Sequence, residues 1–216
     1  MPPKYDVVTF DCYGTLIDWE SGIRDAFVTA ASADGVTLRS EEIIPAYAAV
    51  EPAVEQERYL PYREVLARAA SRAAKRLDWT PSDRAFLARS LPSWKPFPDT
   101  NPALQRLKSA GHRLGILSNV DEDLLAETRK HFTVSFDIIV TAEEVRSYKP
   151  APPHFDAAGR LIGNARWLHA AASNYHDIVP TNALGIPNAW INRKGEAGER
   201  ATYEFRDLQG LAKALT

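Results

Sequence analysis

Short apolar runs, each delivering the chain to a polar residue, govern what this sequence can fold into. Val7-Val8-Thr9-Phe10 leads to Asp11, Leu114-Gly115-Ile116-Leu117 to Ser118-Asn119, Ile138-Ile139-Val140 to Thr141, and Trp167-Leu168-His169-Ala170-Ala171 to the stretch Ser173 to Asp177. Asn188-Ala189-Trp190-Ile191 is a fifth run. Such runs show no inside–outside alternation, so they read as strands buried on both faces. Helical segments lie between them. Asn101-Pro102 opens a helix that Gly111 closes, and a further helix runs from about Asp121 to Lys130, with acids at its start and Arg129, Lys130 and His131 at its end. Strand and helix in alternation predict an α/β fold, a parallel sheet with helices on both faces.

From Glu20 to about Leu91 the strand signal disappears. Ile43, Tyr47, Val50 and Val54 recur at helical spacing, with Pro45 and Pro52 expected to break or kink that stretch. Thr80-Pro81-Ser82-Asp83 reads as a helix start. The expected organisation is a core of 1–17 and 95–216 interrupted by an all-helical insertion, 18–94. A chain of 216 residues fits one domain with an insertion better than two independent domains.

Composition removes several function classes. Lys and Arg number 26 against 28 Asp and Glu, a net charge of −2, so no basic field exists to collect phosphate backbones and nucleic acid is not an expected partner. No apolar run approaches the ~18 residues of a membrane span. The start, Met1-Pro2-Pro3-Lys4-Tyr5-Asp6, lacks the apolar stretch of a signal peptide, and a lone Cys12 forbids an internal disulfide, so a cytoplasmic protein is expected. There is no G-x-S-x-G elbow, P-loop or G-x-G-x-x-G.

In an open α/β sheet, ligands bind beyond the carboxyl ends of the strands. The four polar strand ends are therefore candidate site residues, expected at one sheet edge. With their neighbours they carry a resemblance. Asp11-Cys12-Tyr13-Gly14-Thr15-Leu16, Ile116-Leu117-Ser118-Asn119, Tyr148-Lys149-Pro150 and Asp177 resemble, in order and spacing, the four motifs of the haloacid dehalogenase superfamily. The match spans the chain, and the helical insertion lies where that superfamily inserts its cap domain, after the first motif. The resemblance implies a Rossmann-like core and a site closed by that cap. It makes Asp11 the nucleophile, Thr15 and Ser118 hydroxyl donors that orient Asp11 and substrate, and Lys149 the fixed positive charge. A carboxylate can displace a leaving group and form an ester or acyl phosphate that water later cleaves.

Position 13 narrows the chemistry. Most superfamily members are magnesium-dependent phosphatases with a second aspartate there to protonate the leaving alkoxide, whereas this chain has Tyr13. A halide needs no such proton. Tyr13, with a single carboxylate in Ala172-Ser173-Asn174-Tyr175-His176-Asp177, resembles the L-2-haloacid dehalogenase branch, for which no metal or other cofactor is expected; Mg2+ would be implied only for a phosphatase. The substrate so implied is a small anionic carboxylate, a 2-haloacid converted to a 2-hydroxy acid. Asn174 would position the hydrolytic water and Asp177 activate it. Substrate carboxylate would sit on Ser118 and the N–H groups at Asn119, the latter as part of a helix N-terminus. Further contacts are expected from Tyr13, Ser173, Phe155 and Trp19, the last at the junction of insertion and core. Two departures stand out: Ala172 where that branch often has serine, and Phe155 where tyrosine is common. The arginine expected from the cap is Arg58 or Arg63, each of which reads equally as a solvated helix arginine. His176 reads as a proton carrier or a packing residue. Cleavage of another bond, a phosphate ester or a strained C–N ring bearing a carboxylate, is an alternative, as is a non-catalytic binding protein. A homodimer is a family-level expectation.

Overall fold

The computed structural model describes residues 4–55 and 59–216. Six strands form one parallel sheet: β1 (Val7–Phe10), β2 (Arg113–Ser118), β3 (Ile138–Thr141), β4 (Trp167–Ala171), β5 (Asn188–Ile191) and β6 (Tyr203–Phe205), in the order β3-β2-β1-β4-β5-β6. The chain works outward from β1 in one direction, then returns to its other side at β4. With right-handed crossovers, that reversal places helices on both faces of the sheet and opens a crevice at the carboxyl end of β1. Register brings the strand ends level: Phe10 pairs with Ile116 and Ala170, and Ser118 with Thr141.

β6 had no counterpart in the sequence reading. It is a three-residue edge strand whose middle residue, Glu204, is exposed. An edge strand has a wet face and one neighbour, so it lacks the continuous apolar run that marks β1 to β5.

The chain divides into two compact units. The first, residues 4–18, 96–119 and 129–216, holds the sheet and the helices Thr100–Ser109, Pro153–Ile162 and Leu208–Leu215. Part of its core gathers Val7, Leu117, Ile138 and Val140 against Phe155, Ala158 and Ile162 of the helix Pro153–Ile162. The second unit, all-helical, comprises Trp19–Lys95 and also Val120–Thr128. Its centre is Phe27, edge-on to Phe86 at 5.0 Å, Trp79 at 6.1 Å and Tyr47 at 6.5 Å between ring centroids. The helix Tyr62–Arg76 buries Tyr62, Leu66, Ala69, Ala70, Ala73 and Ala74 along one stripe.

In the helical unit the stretch breaks as expected, between Ala48 and Glu51, with Pro52 in the first turn of Glu51–Glu55, where a proline lacks only an N–H that would have no partner; Pro45 is accommodated inside the helix Ser40–Ala48. Thr80-Pro81-Ser82-Asp83 starts no helix; the next begins at Phe86. Asp34 holds this stretch as a turn, accepting from Ser82 Oγ at 2.5 Å, Ser82 N at 3.1 Å and Trp79 Nε1 at 3.0 Å.

Val120–Thr128 joins this unit through Asp121. The helix Tyr62–Arg76 follows Pro61, which offers no side-chain cap, and Asp121 supplies one from 59 residues away: its carboxylate accepts from Tyr62 N at 2.6 Å and Arg63 N at 3.0 Å. We expect Asp121→Ala to cost about 0.5–2 kcal/mol, the usual worth of a helix cap, read as a lowered thermal midpoint; an unchanged midpoint would show the cap to be idle.

Candidate active site

Asp11 is the first residue beyond β1, the strand at which the sheet order reverses, and its N–H donates to Ala170 O of β4 at 3.1 Å. The chain then coils back on itself. Gly14 takes φ +100°, and the N–H groups of Leu16 and Ile17 both donate to Cys12 O, at 2.8 and 3.0 Å. A positive φ is where glycine is at home. The coil returns Thr15 to the carboxylate, and Thr15 Oγ1 lies 3.0 Å from Asp11 Oδ2. Because the same hydroxyl accepts from Ala172 N at 2.8 Å, its one proton is directed at Asp11. Cys12 is fully buried, and burial pushes its thiol well up from the ordinary value.

Lys149 reaches into the sheet edge. Its Nζ donates to Asp177 Oδ1 at 2.6 Å, Asp11 Oδ1 at 3.0 Å and Leu117 O at 3.0 Å, which accounts for all three ammonium protons. Asn119 holds the base of this lysine: Asn119 Oδ1 accepts from Lys149 N at 2.7 Å, and Asn119 Nδ2 donates to Lys149 O at 3.1 Å.

Burial alone would strip the proton from a lysine that is 2% exposed, but the charges of Asp11 and Asp177 outweigh it and raise Lys149 above the ordinary value. Burial likewise lifts Asp11, against the lowering by Lys149 and Thr15, and the net direction is upward. For Asp177 burial also raises, yet the Lys149 charge and the His169 hydrogen bond prevail and hold it well below the usual carboxylate range. One ammonium thus serves two carboxylates of unequal basicity. Two buried polar atoms of this cluster, Ser118 Oγ and Asp177 Oδ2, have no hydrogen-bond partner among the described residues.

His154 and His169 back the cluster. His154 Nε2 lies 3.2 Å from Ser118 O, and burial pushes this imidazole down to about 3, so it is neutral and donates from Nε2. His169 Nε2 lies 3.0 Å from Asp177 Oδ1.

The profile of the haloacid dehalogenase-like hydrolases matches residues 5–172. The chain belongs to that family. Among curated relatives, it is 28% identical to (S)-2-haloacid dehalogenase 4A of Burkholderia cepacia, over 96% of this chain and 90% of that protein. It is 29% identical to haloacetate dehalogenase H-2 of a Moraxella species, over 90% and 88%. Among solved structures, the L-2-haloacid dehalogenase RSc1362 aligns with a TM-score of 0.76 at 27% identity, covering 98% of both chains.

For this member of the haloacid dehalogenase-like hydrolases, the structure brings Asp11, Thr15, Ser118, Lys149 and Asp177 to one edge of the sheet, with Tyr13 half-buried in the coil after Asp11. Other expected positions are otherwise engaged. Asn174 bonds the backbone of Glu199 through both ends of its amide, at 3.0 Å each, which leaves one N–H and one lone pair for a water. Ser173 is the cap of the turn Asn174–Ile178, accepting from His176 N at 3.0 Å, with His176 Nδ1 also 3.0 Å from its hydroxyl. That contact makes His176 a packing partner of Ser173. Phe155 is core: it is 2% exposed and stands edge-on to His169 at 5.5 Å. The Asn119 side chain serves Lys149, leaving its backbone N–H as the group a ligand would meet.

The helix expected from about Asp121 to Lys130 runs Glu122–Thr128, with the expected acids, Glu122 and Asp123, in its first turn. Within the helical unit, the Arg63 guanidinium donates to Asp123 at 2.5 and 2.7 Å and to Asp121 at 3.1 Å. Arg58 lies outside the described residues. Trp19 begins the helix Trp19–Ala33 and leans on Tyr47, 6.1 Å between centroids.

The sequence reading missed His169 and Thr9. A signal existed: two polar residues inside apolar runs of strands expected to be buried need each other or a buried partner. Magnesium does not suit this donor set. The ammonium of Lys149 already lies between the two carboxylates, and among the described residues no group of three or more His, Cys, Asp or Glu could hold a metal ion.

Removing the ammonium leaves two buried carboxylates facing each other. Lys149→Met should therefore cost about 3–5 kcal/mol at neutral pH. Both carboxylates of the variant would titrate above their unfolded values, so the variant regains stability as pH falls through those raised values. The deficit against the parent, followed by urea denaturation from pH 7.5 to 5, should shrink; a deficit independent of pH would break the charge argument.

Proposed function

We propose that this hydrolase displaces halide from a small (S)-2-haloalkanoic acid through an ester on Asp11, without a metal. The single observation that carries the reading is the charge composition of the cluster: two buried carboxylates share one ammonium, and position 13 is Tyr13 rather than a second aspartate. A leaving group there departs without a dedicated carboxylic acid to protonate it, as halide can and an alkoxide cannot. The named activities of the relatives, (S)-2-haloacid and haloacetate dehalogenases matched over about nine-tenths of the chain, support the same chemistry.

In the first step an Asp11 oxygen attacks C2 from the side opposite the halogen. The new C–O bond forms as the C–halogen bond breaks, and the electron pair leaves with the halide. Thr15 and Lys149 hold the carboxylate for that approach. The substrate carboxylate takes the hydroxyl proton of Ser118, whose Oγ has no partner among the described residues, and the backbone N–H of Asn119. In the second step water attacks the carbonyl carbon of the ester while Asp177 Oδ2 accepts its proton. The tetrahedral adduct collapses, the ester C–O bond breaks, and the proton passes to the departing oxygen of the 2-hydroxy acid. Lys149 balances the charge on the adduct. Assembly as a cytoplasmic homodimer belongs to this proposal through the resemblance alone.

Incubation with L-2-chloropropionate in the presence of a chelator should release chloride and give the inverted 2-hydroxy acid, and Asp11→Asn should abolish release. Phosphate release from p-nitrophenyl phosphate that requires magnesium, with no chloride from the haloacid, would overturn the reading. Asp177→Asn should slow turnover by about 10²–10⁴-fold, the usual contribution of a general base.

The pH profile provides a separate check. Protonated Asp11 cannot attack, so kcat/KM falls as pH drops through its pKa, and that pKa is raised by burial. The acid limb should lie above the ordinary aspartate value of about 3.9. A limb at or below that value would contradict the assignment.

A further inference from the structure

His169 and Thr9 are fully buried, stand at paired positions of neighbouring strands β4 and β1, and have no part in the mechanism above. Their hydrogen bonds run in one direction. Trp167 Nε1 lies 2.7 Å from Thr9 Oγ1, and an indole N–H can only donate. Thr9 thus accepts from Trp167, and its Oγ1 lies 2.8 Å from His169 Nδ1. His169 Nε2 lies 3.0 Å from Asp177 Oδ1, and a carboxylate oxygen only accepts, so the ring hydrogen is on Nε2 and the neutral ring leaves Nδ1 to take the Thr9 proton. Phe155, edge-on to the imidazole, holds the ring plane. At the far end, Asp177 Oδ1 receives both Lys149 and His169, while Asp177 Oδ2 receives no one among the described residues.

We infer that His169 is a positioning residue for the hydrolytic half of the reaction: as the Nε2–H tautomer required by the Asp177 carboxylate and accommodated by Thr9, it pins Asp177 Oδ1 and so presents Oδ2 to the attacking water. The inference rests on the haloacid reading for its chemistry, and on geometry alone for its tautomer. Lys149 by itself allows the carboxylate to turn about its Cβ–Cγ bond and offer either oxygen. A second donor on the same oxygen removes that freedom. The proton balance is unchanged: water's oxygen bonds to the ester carbon, its proton goes to Asp177 Oδ2, and the proton leaves with the 2-hydroxy acid. The attack by Asp11 uses none of this chain, so only the second step should depend on it.

Rapid-quench kinetics with L-2-chloropropionate compare the parent with His169→Leu and His169→Gln, since glutamine returns an N–H close to where Nε2 was. His169→Leu should give a burst of about one chloride per active site at nearly the parental rate. Turnover should then be about 10²-fold slower, with the ester accumulating on Asp11 by mass spectrometry. His169→Gln should recover most of the turnover. A packing role would scale both phases down with the folded fraction and build up no ester; that result, or a folded glutamine variant no better than leucine, overturns the inference. The tautomer is read without substrate by nitrogen NMR of the parent protein at neutral pH, where the proton should be on Nε2; a proton on Nδ1 alone overturns the inference. Absence of chloride release by the parent would instead sink the haloacid reading, and the NMR result would still decide His169.

Discussion

The site depends on one ammonium group. Lys149 Nζ is the shared donor to Asp11, Asp177 and the main chain of Leu117, and each neighbour is where it is because that charge is there. Two buried carboxylates that close would not both stay ionised without it. A buried ion pair is weak ground for claiming stability, since desolvation offsets most of its attraction. It is better understood as a device for keeping two acids in their charged form at different basicities. The sheet supplies the placement: β1 sets down the nucleophile at the point where the strand order reverses, and the segment after β4 brings Asp177 back to the other side of it.

Around that charge the protein spends short polar side chains on direction. Thr15 donates to Asp11 while an N–H donates to it from behind, and Thr9 faces His169 Nδ1 while an indole donates to it from behind. A hydroxyl has one proton and accepts more than one, so whichever neighbour can only accept decides where that proton goes. The same logic at Asn119 fixes the lysine's backbone instead of its charge.

Much of this was legible in the chain. Asp11, Ser118 and Asp177 could be singled out because polar residues follow several buried strands at one sheet edge, and Lys149, which closes no strand, only because the four motifs keep a familiar order. The parallel sheet and the helical insertion followed from the presence and loss of short apolar runs. Side-chain commitments were not legible. Asn174 bonds Glu199, which is 25 residues away, and Arg63 bonds Asp121 and Asp123, about 60 residues away; no local spacing encodes such partners. Phe155 was placed by analogy to a tyrosine, but a phenyl ring has no polar end to offer and packs on His169 instead. The turn at Thr80 carried every local mark of a helix start, and a distant carboxylate, Asp34, prevailed over them.

The cap that Asp121 provides bears on how such a protein can be divided. In sequence the helical insertion is one uninterrupted stretch, but as a packed body it includes Val120–Thr128, with Leu124, Leu125 and Thr128 buried in it. Cutting the chain at the ends of the insertion would leave an amphipathic heptapeptide stranded and one helix uncapped. The insertion is therefore not a cassette. Recombination between relatives that exchanged residues 19–95 alone would join a helix from one parent to a cap from the other, and the hybrid would lose that cap wherever the carboxylate had not been kept.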